Sequence, residues 1–175
     1  MSVDEYLAWA DGQRGRYELS DGTVVAMSPE SAAHAERKAA VHGALLAGVR
    51  DRRLPCHVLP DGMTVRIGEA TAYEPDALVY RGAKIAPSAV EVPNPVIVVE
   101  VLSPSTRDID LSVKLADYFR VPSVAHYLIV DSEKPRVIHH ARSVNETILT
   151  RIVTAGNVVL DPPGLVIAVA DIYAT

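Results

Sequence analysis

The apolar run VIVVEVL, residues 96–102, constrains the fold of this chain more than any other segment. Six of its seven residues are aliphatic, which is typical of a strand covered on both faces of a sheet. Glu100 interrupts the run, and a carboxylate taken out of water is costly unless a cation or hydrogen-bond donors meet it. The sequence therefore predicts a buried strand that carries one partnered acid.

Asp76 is a second acid in strand-like surroundings, within the segment AYEPDALVY. If its strand neighbours that of Glu100, the two carboxylates converge, and their repulsion favours protonation of one unless a cation lies between them. A hard divalent cation, Mg²⁺ or Mn²⁺, resolves this conflict and can activate water for hydrolysis. Two other readings stay open: Asp76 as a turn or cap residue after Pro75, and Glu100 as the partner of a buried arginine.

The remaining pattern predicts one domain over residues 1–175, with no internal repeat or linker. A capping box at residues 2–5 starts a short helix, and the Asp-Gly pair at residues 21–22 turns a hairpin within RYELSDGTVVAMSP. Longer helices are predicted for residues 30–53 and 108–120. Further strands are CHVLP, MTVRI, HYLIVD, RVIHHAR and TILTRIVT, with His139 and His140 on a hairpin surface, and GLVIAVADIYAT closes as a strand or short helix. This order favours an α/β or α+β fold, a mixed sheet flanked by helices.

Composition narrows the classes of protein that fit. The net charge of −5 lacks the basic footprint of most nucleic-acid binders, although a local patch such as RDRR at residues 50–53 can face phosphates. Cys56 is the single cysteine, so an internal disulfide is impossible and a reducing compartment is expected. The acidic start predicts no signal peptide, and no apolar run is long enough to span a membrane. We therefore expect a cytoplasmic protein.

A family resemblance appears once these segments are read together. Pro75-Asp76, followed 24 residues later by Glu100 on an apolar strand, resembles the PD-(D/E)XK nuclease superfamily. Within it, the chain is similar to the Uma-type family of restriction endonuclease-like proteins over nearly its whole length. The matching segments are YELSDGTVVAMSP, His34, EPDALV, VVEVLSPSTRDID, Lys114 with Tyr118, and HYLIVD. The resemblance implies a restriction-endonuclease-like core and Mg²⁺- or Mn²⁺-dependent hydrolysis of phosphodiester bonds, with DNA as the expected partner.

The resemblance also implies roles for the acids. Asp76 and Glu100 would hold the metal together with the backbone carbonyl of Val101, and Glu18 would assist through the metal or its waters. Without the resemblance, Glu18 is more simply a solvated residue on the polar face of a hairpin. Many nucleases of this superfamily are dimers, so the resemblance implies a homodimer. The high aliphatic content supports this prediction, because one small domain is expected to leave some of its apolar surface uncovered.

The catalytic lysine departs from the superfamily pattern. Leu102 stands where that lysine is usual, and the family match places the substitute at Lys114 on the following helix. Lys114 borders the apolar stripe of that helix, so its long side chain can reach back over the sheet. The simpler alternative is an ion pair with Asp110, four residues earlier.

Three further residues are candidate nucleic-acid contacts: His34, Ser103 and Arg107. Each has a plainer reading, because His34 lies at a helix start, Ser103 can cap the next helix and Arg107 lies in a loop. A rival function is a catalytically inactive nuclease fold that serves as a nucleic-acid-binding or protein-interaction scaffold. The intact set of Glu18, Asp76, Glu100 and Lys114 speaks against such decay. A metal hydrolase of another substrate class stays open.

Overall fold

The computed structural model describes residues 1–102 and 110–174 of the chain. The chain alternates helices with short strands, and the long predicted helix is present. The predicted strands are present, except that AYEPDALVY forms two strands, and residues 157–160 form a strand that was not predicted. In chain order the elements are α1 (Val3–Ala10), β1 (Tyr17–Ser20), β2 (Thr23–Ala26), α2 (Ala32–Asp51), β3 (Cys56–Pro60), β4 (Val65–Arg66), β5 (Ala72–Tyr73), β6 (Ala77–Arg81), β7 (Pro95–Leu102), α3 (Asp110–Tyr118), β8 (His126–Asp131), β9 (Val137–Arg142), a 3-10 turn (Val144–Glu146), β10 (Ile148–Val153), β11 (Asn157–Leu160), β12 (Leu165–Ala168) and α4 (Val169–Tyr173).

The main sheet has six strands in the order β10-β9-β8-β7-β6-β3. β7 runs parallel to β8, and the other neighbours are antiparallel, so the sheet is mixed as predicted. All eight residues of β7 are buried, which explains its almost unbroken aliphatic sequence. Within the described part of the chain, no helix has the length and apolar character needed to cross a membrane.

The two faces of the main sheet carry different helices. Val99 and Val101 point to the face covered by α2, where they pack in one core with Val41 and Leu45. Val98 and Leu102 point to the opposite face, in a second core that includes Tyr118 of α3. Because side chains alternate along a strand, Glu100 belongs to the α3 face.

The N-terminal segment forms a smaller sheet in the order β2-β1-β5-β4. The predicted capping box is present, with Ser2 and Glu5 bonded to each other's backbone N–H groups. β1 and β2 form the predicted hairpin, with Ser20 opposite Thr23 across the turn. β1 also pairs with β5, which brings the hairpin next to the segment that leads into Asp76.

The segment AYEPDALVY differs from the single strand that was predicted. It forms two strands, β5 in the small sheet and β6 in the main sheet, separated by residues 74–76. Pro75 lacks the N–H that an interior ladder position needs, so the pairing breaks there and the chain changes sheets. The break places Asp76 at the junction of the two sheets.

The prediction that His139 and His140 lie on a hairpin surface was wrong. Both are buried, and His139 Nε2 lies 2.9 Å from Nδ1 of His126, whose Nε2 contacts the carbonyl of Pro162 at 2.9 Å. Burial, followed by the neighbouring His126, lowers the pKa of His139 to about 4. Pro162, in the turn between β11 and β12 of the C-terminal hairpin, thus contacts His126 on β8, and local periodicity cannot reveal that contact.

Candidate active site

Asp76 and Glu100 lie on neighbouring strands at the junction of the two sheets. Asp76 directly precedes β6, and Ala77 of β6 pairs with Val99 of β7. Each acid is only 6% exposed. The backbone N–H of Val101 donates to Asp76 Oδ2 at 2.7 Å, which ties the Asp76 side chain to the strand that carries Glu100.

Glu100 meets two donors from α3, which identifies the partners of the acid in the apolar run. Lys114 Nζ lies 3.1 Å from Glu100 Oε1, and the Tyr118 hydroxyl donates to the same oxygen at 2.7 Å. Lys114 and Tyr118 are one helical turn apart, so both point from α3 onto the strand. Leu102, at the usual lysine position, is a core residue.

Glu18 completes this side of the site and is not a solvated hairpin residue. Its Oε1 lies 3.0 Å from Lys114 Nζ and accepts the backbone N–H of Glu74 at 2.9 Å. Lys114 therefore bridges two carboxylates while its ammonium also lies 5.0 Å from the centre of the Tyr73 ring. A lysine with 7% exposure needs such partners to stay charged.

The two acids are costly to ionise together. Burial raises the pKa of Glu100 to about 8; the ammonium of Lys114 opposes that shift, whereas the charges of Asp76 and Glu18 add to it. Burial also raises the pKa of Asp76, against the Val101 N–H and the charge of Lys38. Burial, then the charge of Glu100, raises the pKa of Tyr118, so its hydroxyl remains a donor at neutral pH. A cation bound between the two carboxylates would favour the ionised form of both and so offset this cost.

His34 of α2 reaches the site from the other face of the sheet. Its Nε2 lies 2.7 Å from the carbonyl oxygen of Val101 and 3.9 Å from Asp76 Oδ2, while its Nδ1 lies 2.8 Å from Glu30 Oε2. Both ring nitrogens face acceptors, so a ring protonated on both nitrogens donates both hydrogen bonds at once. His34 therefore lies beside Asp76, and its predicted contact with nucleic acid stays a prediction.

Lys38, one turn beyond His34, was not predicted as a site residue. Its Nζ lies 2.6 Å from Asp61 Oδ2, 2.8 Å from Glu30 Oε2 and 3.6 Å from Asp76 Oδ1. Burial alone would lower the pKa of Lys38, but its hydrogen bonds to Asp61 and Glu30 raise it overall. The sequence held one indication of its burial: Lys38 lies at helical spacing from Val41 and Leu45, on the apolar face of α2, where an unpaired lysine is rare.

Arg16 links the two sides of the site. Its guanidinium contacts Asp61 at 2.6 Å and Glu74 at 3.1 Å, and the backbone N–H of Glu74 donates to Glu18. Lys38 and Lys114 are therefore connected by a continuous series of ion pairs and hydrogen bonds, which passes through Asp61, Arg16, Glu74 and Glu18. Residues of this link come from the hairpin, the turn after β3 and the break before β6, which are far apart in sequence.

The oxygen atoms at the junction of the two sheets are of the type that binds a hard divalent cation. Asp76, Glu100 and the carbonyl of Val101 are oxygen ligands of the kind that Mg²⁺ and Mn²⁺ prefer, and such ions complete their shell with water. Among residues 1–102 and 110–174, no three His, Cys, Asp or Glu side chains are grouped as a metal site. In this arrangement lysines stand beside both acids. Ser103 and Arg107, the other predicted contacts, lie outside the described residues.

Comparisons with known proteins match this chain over almost its whole length. The chain is 28% identical to the uncharacterised protein slr1290 of Synechocystis, over 99% of this chain and 91% of that one. Its fold matches a crystal structure from Anabaena variabilis, described as a "putative nuclease belonging to DUF820", with a TM-score of 0.77 and 13% identity. That match covers 99% of this chain and 98% of the other.

The family comparison covers almost the whole chain. Residues 3–170 match Uma2, the family described as "Putative restriction endonuclease". The matched range includes the two acids at the junction, the hairpin acid Glu18 and both buried lysines. The chain belongs to the Uma2 family of restriction endonuclease-like proteins.

Proposed function

We propose that this chain is a divalent-metal-dependent endonuclease that hydrolyses phosphodiester bonds in DNA, with Mg²⁺ or Mn²⁺ as its cofactor. One observation carries the proposal: Glu100 is buried in contact with Lys114 beside a second buried acid, Asp76, in a chain of the Uma2 family. Two acids that can hold a cation, with a lysine beside them, suit metal-assisted hydrolysis of a phosphodiester bond.

Asp76, Glu100 and the Val101 carbonyl would hold the cation, which when bound supplies an activated water and polarises a phosphoryl oxygen. Lys114 orients the attacking water or stabilises the charge that develops on the phosphoryl oxygens. Its ammonium lies at the end of β7, held by carboxylates on two sides.

Two residues position these groups. Glu18 accepts a hydrogen bond from Lys114 and is itself held by the Glu74 N–H, so it sets where the ammonium lies. Tyr118 donates to Glu100 Oε1 and so helps to fix the position of that carboxylate. Positioned donors of this kind lower the reorganisation needed during reaction.

The test is direct incubation of the purified protein with plasmid DNA, single-stranded DNA and RNA. Each substrate is offered with Mg²⁺, with Mn²⁺ and with EDTA, and strand breaks are read on gels. We expect cleavage of DNA with either metal and none with EDTA. Cleavage that survives EDTA would contradict metal dependence, and cleavage of RNA alone would contradict the substrate.

The rival function, an inactive nuclease-fold scaffold, predicts a different result in the same experiment. The scaffold leaves every substrate intact at all metal concentrations yet still binds nucleic acid or a protein partner. The nucleic-acid contacts His34, Ser103 and Arg107 and the homodimer stay predictions. Filter binding with single substitutions tests the contacts, and light scattering at micromolar concentration tests the dimer.

A further inference from the structure

Two of the four lysines of this chain are buried, and both belong to the site. Lys114 is 7% exposed and Lys38 is 8% exposed, whereas Lys84 and Lys134 lie on the surface. The proposed hydrolysis uses Lys114 and gives no task to Lys38. A buried lysine is costly unless paired, so its surroundings indicate what it does.

Three carboxylates surround the Lys38 ammonium. Asp61 and Glu30 contact Nζ at 2.6 Å and 2.8 Å, and Asp76 Oδ1 lies at 3.6 Å. Arg16 also pairs with Asp61, and His34 pairs with Glu30 and lies 3.9 Å from Asp76 Oδ2. Lys38 is the cation that forms ion pairs with all three of these carboxylates. Carboxylates this close repel one another, and one positive charge among them relieves the repulsion.

The position of this ammonium resembles that of a second metal ion. Hydrolases with two metals hold them roughly 3.5–4 Å apart, with a carboxylate commonly near both. Asp76 occupies the equivalent place here: its Oδ2 is tied to the Glu100 strand, and its Oδ1 faces Lys38 on the α2 side.

We propose that Lys38 is a positioning residue whose ammonium acts as the built-in second cation of the site and restricts Asp76 to a single divalent ion. The presence and the identity of the ion at Asp76 rest on the proposed function. The part that Lys38 plays in keeping a cation out of the group of Glu30, Asp61 and Asp76 does not, because these three carboxylates face its ammonium whatever the chain hydrolyses. Loss of the ammonium leaves a group of acids that a divalent cation can occupy with oxygen ligands.

The experiment counts Mn²⁺ ions per chain by isothermal titration calorimetry and by electron paramagnetic resonance. The wild type is compared with Lys38→Met, with Lys38→Gln, whose amide can still donate hydrogen bonds, and with Lys84→Met as the matched surface control. We expect both Lys38 variants to bind one more ion per chain than the wild type, and Lys84→Met to bind the same number. Mn²⁺ should also raise the Tm of the Lys38 variants more than that of the wild type.

Equal Mn²⁺ stoichiometry in the wild type and in both folded Lys38 variants overturns the proposal. A merely structural lysine would lower the Tm without adding an ion. If the variants are unfolded in metal-free buffer, refolding on addition of Mn²⁺ supports the proposal and failure to refold rejects it. A wild type that neither binds Mn²⁺ nor cleaves DNA contradicts the proposed function, and the difference in ion count between variant and wild type still decides the role of Lys38.

Discussion

The site has two sides that are built alike but are bonded differently. We call Glu18, Glu100, Lys114 and Tyr118 the α3 flank, and Glu30, His34, Lys38, Asp61 and Asp76 the α2 flank. The α3 flank and the α2 flank each place one buried lysine, from a helix, against one buried acid, which is Glu100 on β7 or Asp76 just before β6. On the α3 flank the lysine bonds this acid directly, at 3.1 Å, whereas on the α2 flank the corresponding distance is 3.6 Å.

The difference lies in what holds each ammonium. The shortest contacts of Lys38 are to Asp61 and Glu30, acids outside the main sheet, which keep the ammonium in place whatever happens at Asp76. Lys114 is bonded to Glu100 itself, so a change at that carboxylate changes the position of the ammonium. We therefore expect Lys114 to take part in the reaction and Lys38 to hold the charges of the site in position.

The largest expected effect is at the acid of the α3 flank. Glu100→Gln keeps the shape of the side chain but removes a charged metal ligand, and we expect DNA cleavage to fall on the order of 10³-fold. The exposed Glu133→Gln is the matched control and should cleave as the wild type does. Retention of more than about a tenth of wild-type cleavage by Glu100→Gln would remove Glu100 from the metal site.

The second prediction compares the two lysines. Lys114→Met should lower the rate of cleavage on the order of 10²-fold, since a main charge-stabilising donor is lost, and Lys38→Met only about tenfold. Single-turnover rates at saturating Mg²⁺, with Lys84→Met as the control, measure both. Equal losses in the two variants would show that the flanks do not divide their tasks, and full activity in Lys114→Met would reject Lys114 as the substitute for the lysine missing at Leu102.

The third prediction concerns pH and the stability of the metal-free protein. Burial raises the pKa of Glu100 from 4.5 to about 8, so between these values the folded state holds a proton that the unfolded state has released. The free energy of unfolding should therefore fall as the pH rises across this window, by at most about 5 kcal/mol, since each pKa unit corresponds to about 1.4 kcal/mol.

Glu100→Gln, which cannot ionise, should show a weaker decline over the same window. Urea unfolding at several pH values in EDTA measures both slopes. Parallel slopes in the wild type and the variant would mean that Lys114 compensates the charge of Glu100 completely.

The smallest expected effect is at Tyr118, which has no counterpart on the α2 flank. Tyr118→Phe removes the hydroxyl that donates to Glu100 Oε1 and should lower the free energy of unfolding by about 1 kcal/mol. Tyr17→Phe is the control, because the Tyr17 hydroxyl donates to the Arg14 carbonyl at the surface. Chemical denaturation of both variants measures the change in the free energy of unfolding. An unchanged stability in Tyr118→Phe would show that the hydrogen bond from Lys114 is sufficient for the buried Glu100 carboxylate.

Much of the α3 flank was predictable because its signals are local or lie on one element. The aliphatic run predicted a buried strand, and the acid within it indicated that a cation or a hydrogen-bond donor lies beside that acid. The helical spacing placed Lys114 and Tyr118 on one side of α3. The α2 flank was predicted only at His34 and Asp76. Lys38, Glu30 and Asp61 meet from three separate segments, and nothing local to any of them indicates the others.

The sequence by itself determined the long helix α2, the mixed α+β class, the hairpin at residues 21–22 and the acids that had to be partnered. These follow from side-chain periodicity and turn chemistry, which act over a few residues. Only the tertiary structure decided that the chain changes sheets at Pro75, that His139 is buried, and that two lysines from opposite faces of the sheet meet the acids at one strand end. Such contacts join residues far apart in the chain, and the free energy that selects them comes from burial and charge pairing across the whole core, which no short stretch of sequence contains.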